Sequence, residues 1–148
     1  MTTEYWIKID PDAQPQVLAT GGEEAMNLQA MQNAVGGLIE YCTFAQNVEL
    51  PVPHNGRMVL GEVLDVIANE EGRLVNNPRP NAIGTYCAFG MPAPEAPYAI
   101  VGAVLVHVRV ADDAQEANME KLLEMVLGIK VAQSMTQDLQ EADYGVDE

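Results

Sequence analysis

Between Tyr98 and Val110 the chain reads YAIVGAVLVHVRV, and its first nine residues, Tyr98 to Val106, carry no charge. That run is too short to cross a bilayer, which takes about 20 apolar residues as a helix. A nearly continuous apolar run rich in Val marks a strand covered on both faces. We therefore expect a central strand, interrupted at Gly102, whose exposed end begins at His107 and Arg109. Such a strand obliges the rest of the chain to supply strands on both sides of it.

Glu4 to Ile9 alternates Tyr5, Ile7 and Ile9 with Trp6 and Lys8 and stops at Asp10-Pro11-Asp12, as a strand and turn would. Gln16 to Ala19 is a candidate partner strand. A helix is expected from about Glu23 to Val35, ended by Gly36-Gly37, with strand character resuming over Leu38 to Phe44. Pro51, Pro53 and His54-Asn55-Gly56 mark a loop or edge, Arg57 to Leu60 a short strand and Val63 to Ala68 a firmer one. Pro78 or Pro80 can open a short helix through Ile83 to Cys87. Asp112 or Asp113 can cap a long one from Ala114 to about Glu141, with Asp113 and Glu116 approximating a capping box. That last helix is apolar nearly all round, so it would be buried on more than one side, and self-association through it follows. The expected fold is one α+β domain over residues 1–137, a mixed or mainly antiparallel sheet flanked by two main helices, with an acidic tail over 138–148 that frays.

The net charge of −15, from 22 acids against three Lys and four Arg, repels nucleic-acid backbones and anionic lipid surfaces. It favours basic partners; adaptation to high salt or a GC-rich genome would produce the same composition. No apolar run or cleavage site opens the chain, so a cytoplasmic location with Cys42 and Cys87 reduced is expected.

The stretch Val63 to Asn81, VLDVIANEEGRLVNNPRPN, is where a binding site is expected. It reads as a β-hairpin, turning at Asn69-Glu70-Glu71-Gly72, with Gly72 at a left-handed position, into a return strand Arg73 to Val75 and a polar loop. Arg57, Arg73 and Arg79 lie in or beside it. Arg73 and Arg79 could hold a phosphate through paired hydrogen bonds, while Asn69, Glu70, Asn77 and Asn81 could orient a sugar or base. Turn chemistry alone also accounts for most of these residue types. A second candidate surface is the row Asp112, Glu116, Glu120 and Glu124, which on a helix would repeat at about 6 Å and could imitate a nucleic-acid backbone for a basic protein. A solvated helix face would look the same.

His54 and His107 have no ligand at metal-binding spacing, Cys42 and Cys87 lack the pairing zinc requires, and no phosphate-binding or acid-base signature is present. Neither a metal, a cofactor nor an enzymatic activity is expected. Three motifs in order, Met31-Gln32-Asn33-Ala34-Val35-Gly36-Gly37-Leu38-Ile39-Glu40, then Asn69-Glu70-Glu71-Gly72-Arg73-Leu74 with Pro80-Asn81, then Ile100-Val101-Gly102, resemble the family catalogued as domain of unknown function 3846. The resemblance covers roughly Ala30 to Val108 and implies an α+β fold in small proteins of phages, plasmids and bacterial chromosomes. The chain departs from it by placing Arg79 before Asn81 rather than a basic residue after it, and in the C-terminal segment. In that setting the reading is an accessory protein that binds, and sequesters, a small nucleotide-like ligand of host defence. The alternative is an acidic inhibitor of a host defence protein.

Overall fold

A computed structural model describes residues 1–11, 15–72, 79–91 and 95–117. Six strands form one sheet: β1 (Thr2–Ile9), β2 (Gln16–Thr20), β3 (Ile39–Tyr41), β4 (Glu49–His54), β5 (Arg57–Asn69) and β6 (Val104–Ala111). Their order is β2-β1-β6-β5-β3, with β4 also paired to β5, and all five strand pairings are antiparallel. β6 lies between β1 and β5, the interior position its composition calls for, but it begins at Val104 rather than Tyr98, and His107, expected to begin its exposed end, is 2% exposed. Val104, Leu105, Val106, Val108 and Val110 are fully buried along it, each worth about 1.5–3 kcal/mol of apolar transfer.

Alternation along the strands divides the core in two. One face gathers Trp6, Ile67 and Leu105 beneath helix α1 (Leu28–Val35), which contributes Met31, Ala34 and Val35. The other gathers Ile7, Ile9, Val66, Ala68, Val104 and Val106 against Cys87 and Ala88 of helix α2 (Ala82–Phe89). α2 approaches closely because Gly84 lacks a Cβ, which would stand 2.7 Å from a Val104 methyl.

The α+β expectation is overturned. The described residues form a mainly antiparallel β-sheet carrying two α-helices of eight residues each. α1 starts at Leu28, since Asn27 turns its side chain onto the Ala30 amide at 2.8 Å and caps the helix there; Glu23–Ala25 is a separate 3-10 turn. The long C-terminal helix fails where it should begin. Ala114 closes a turn on Ala111, and the next residues run extended: Glu116 bridges Val59, Gln115 accepts from the Leu60 amide at 2.8 Å, and the Ala117 amide donates to Met58 at 3.0 Å. Backbone pairing with β5 beyond the end of β6 overrides the local capping box. The remainder of that expected helix, its homo-oligomer interface and the tail lie outside the described residues.

The Val63 to Asn81 hairpin is also corrected. Arg57 to Leu60 and Val63 to Ala68 are one strand of 13 residues, with a register shift between Val63 and Asp65. At its far end both edges are occupied, by Tyr41 and Leu105 at Ile67 and by Glu40 and Val104 at Ala68. β5 therefore offers no edge to a return strand there, and the expected one, Arg73 to Val75, lies outside the described residues. Arg57 stands at the opposite end of β5 from Asn69, roughly 40 Å away at strand rise, so Arg57 does not share the corner at which Asn69 lies.

Candidate functional site

The expected site and a concave surface coincide in part. A cleft of about 310 Å³ is lined by Glu40, Ala68, Asn69, Glu70, Tyr98, Ile100 and Val101. One wall comes from β3 and the end of β5, where Glu40 pairs with Ala68 and the Glu70 amide extends the ladder to the Leu38 carbonyl at 2.8 Å. Gly36, at φ +84°, ends α1 in the left-handed conformation and lets the chain turn into β3. Gly37 serves space instead, since a Cβ there would lie 2.8 Å from the Asn69 amide. Asn69 accepts from the Glu71 amide at 2.8 Å, an Asx turn that directs the chain out of β5. Gly72 does not adopt the left-handed conformation expected of it. Its missing Cβ would come 3.3 Å from the Val101 carbonyl oxygen, so it allows the chain to pass that residue.

The opposite wall, Tyr98 to Val101, is anchored from below. Pro80 bridges Val101, the Asn81 amide donates to Ile100 at 2.8 Å, the Gly102 amide donates to the Arg79 carbonyl at 2.8 Å, and the Ile100 amide donates to the Thr85 hydroxyl at 2.9 Å. Ala68 and Ile100 make an apolar floor. Tyr98, 41% exposed, packs edge-on against Phe89 with centroids 5.1 Å apart, and Phe89 stacks on Phe44 at 4.9 Å. Phe44 is 54% exposed and also lines a more open depression of about 470 Å³ with Thr43, Gln46, Glu62 and Leu64. An aromatic ridge thus stands between two concavities. Among the described residues the cleft lining carries two carboxylates, Glu40 and Glu70, and no cation.

The sequence-selected residues fare unequally. Asn69 and Glu70 line the cleft, and Arg79 is exposed beside its Val101 wall. Asn81 is not available to a ligand. It is 1% exposed, donates to the carbonyls of Ile9 at 2.8 Å and Gly102 at 2.9 Å, and accepts from Gly84 at 2.8 Å as the N-cap of α2. Arg73 and Asn77 lie outside the described residues. Of the acidic row, Asp112 is exposed and sits 3.8 Å from the N-terminal ammonium, while Glu116 is exposed in extended backbone. These two do not share a helix face, and Glu120 and Glu124 lie outside the described residues.

Sequence reasoning missed Glu40, Tyr98, Phe44 and Phe89. The one legible signal is that both phenylalanines of the chain meet at this corner; nothing local in the sequence places Glu40 near Glu70. A second array was also invisible. His107, 2% exposed, stacks on Trp6 at 4.0 Å between Glu4 (2.8 Å from Nε2) and Asp65 (3.5 Å from Nδ1). The 2.8 Å approach is an ion-pair distance, but the carboxylate lies off the ring N–H direction, so neither ring nitrogen has a well-formed hydrogen bond. The imidazole is buried too deeply to meet a substrate. Burial likewise pushes the Cys87 thiol up to about 12, leaving it a neutral core side chain. Cys42 is buried as well. Among the described residues no His, Cys, Asp or Glu cluster is arranged to hold a metal, and no helix is long and apolar enough to cross a membrane. No family model, curated protein or solved structure matches this chain.

Proposed function

We propose that this protein is a non-catalytic binder of a basic protein, and that it seats a cationic side chain of that partner in the cleft between β3, the end of β5 and Tyr98. The observation that carries the reading is the cleft's composition: Glu40 and Glu70 beside the partly exposed Tyr98, over an apolar floor. Carboxylates with an aromatic face suit a guanidinium or ammonium group, and a net charge of −15 draws basic partners from a distance. A phosphate brought into the same cleft would face like charge. In the phage or plasmid setting that the family resemblance implies, the partner would be a host defence protein. The acidic surface used would be this cleft rather than the carboxylate row first considered.

A nucleotide-like ligand is the second reading, favoured by Tyr98 as a stacking face with Asn69 and Glu70 to meet a base or ribose. Fluorescence anisotropy with labelled Arg-rich and Lys-rich peptides, set beside a calorimetric titration with nucleoside mono- and diphosphates, separates the two. We expect the peptides to bind, to weaken with salt, and to lose about tenfold in affinity in the Glu40→Gln/Glu70→Gln variant. Nucleotide binding without peptide binding refutes the basic-partner reading.

A further inference from the structure

The cleft's outer wall is β3, an edge strand, and the hydrogen-bonding parity of that strand is fixed. The Glu70 amide donates to Leu38 and the Cys42 amide donates to Val66, so residues 38, 40 and 42 face β5. By the alternation of antiparallel ladders, the N–H and C=O groups of Ile39 and Tyr41 point the other way. None of these four groups has a hydrogen-bond partner among the described residues. Exposed apolar side chains flank them: Leu38 is 54% and Tyr41 57% exposed, with Phe44 and Tyr98 beyond.

Resting on the basic-partner reading above, we infer that the partner binds as an added strand. An extended basic segment would pair with the outer edge of β3, with alternate side chains falling on the Glu40 side, where the cleft lies, and on the Tyr41 side. Strand addition supplies affinity through main-chain hydrogen bonds and specificity through alternate side chains. Charge selects the occupant. A second copy pairing antiparallel about the middle of β3 would set Glu40 directly opposite Glu40, a destabilising arrangement, whereas a basic side chain at that position is complementary. Of the other outer edges, β2 contains no charged residue and makes no such selection, and β4 carries Pro51 and Pro53, which have no N–H to offer an added strand.

The test uses the full chain and a fluorescein-labelled peptide alternating Arg with Val. Anisotropy gives affinity, and amide hydrogen exchange reads the edge. Binding should slow exchange at Ile39 and Tyr41. Tyr41→Pro removes only an outward N–H, a place where an edge strand accepts proline. It should weaken binding about tenfold beyond Tyr41→Ala, which removes the same ring and keeps the donor. Peptide binding that depends on Glu40 and Glu70 but leaves both amides unprotected and treats Tyr41→Pro like Tyr41→Ala overturns strand addition alone. Failure of the peptide to bind the unaltered protein overturns both this inference and the reading on which it rests. If Tyr41→Pro does not fold, exchange at Ile39 and Tyr41 in the unaltered protein decides the matter.

Discussion

Replacing Asn81 by alanine should remove much of the protein's margin of stability, although its side chain does not line the cleft. The side chain joins three places that are distant in sequence: the end of β1 through Ile9, the bend at Gly102 through its carbonyl, and the first turn of α2 through Gly84. All three bonds are 2.8–2.9 Å long, and those to Ile9 and Gly84 are buried, so water is kept from the groups abandoned there, while the Gly102 carbonyl is part-buried. Loss of the cap costs about 1 kcal/mol, and stranding two carbonyls in a poorly hydrated site costs roughly 1–3 kcal/mol each. A total of about 4 kcal/mol compares with a global stability of about 5–15 kcal/mol for a domain of ordinary size.

Urea unfolding followed by Trp6 fluorescence is the natural assay, because Trp6 is the single tryptophan and is 1% exposed. With a slope of about 2 kcal/mol per molar urea, the midpoint should fall by about 2 M. Asn81→Ser, which keeps an acceptor for Gly84 but no amide donors, should recover about 1 kcal/mol of that loss. A fall below about 1 kcal/mol for Asn81→Ala would refute the bridging account. Loss of peptide or nucleotide binding with stability unchanged would instead restore the ligand-contact role that the sequence suggested.

Gly61→Ala should destabilise by about 1–3 kcal/mol through overpacking, since the new methyl would collide with Val108 and press on Val110 at 3.1 Å, both fully buried; thermal unfolding measures it, and an unchanged midpoint refutes it. Stability should decline in alkali because of Cys87. Between the ordinary thiol value of 9.0 and about 12 the unfolded chain has lost the proton while the native chain keeps it, so each pH unit in that window removes up to about 1.4 kcal/mol. Tyr86, raised by burial and then by Cys87 and Glu49, adds a decline of the same sign above its ordinary 10.0. Urea midpoints compared across pH for the unaltered protein and Cys87→Ala should converge as pH rises through the window; a constant gap contradicts the assignment.

Features set by neighbours in sequence were legible. The alternation in Glu4 to Ile9 separates Trp6 from Ile7 and Ile9, and the structure buries them against different faces. The apolar run marks β6 as interior, though not where the strand begins, Gly36 ends α1, and Pro80-Asn81 announces α2. Each depends on side-chain period or on the conformation of one or two residues, and both are carried in the sequence itself.

What the tertiary structure decided depends on which backbone edges meet. Asp113 and Glu116 satisfy a helix cap locally, yet residues 115–117 extend because Met58 and Leu60 offer unpaired β5 backbone groups just beyond β6. Asn81 has the chemistry of a ligand contact until β1 and the bend at Gly102 surround it. Glu40 and Glu70 come to line one wall of the cleft together only because β3 pairs with β5 in the register Glu40 to Ala68. A one-residue slip would turn every β3 side chain to the opposite face, and that register is settled by contacts across the fold that no local stretch of the chain encodes.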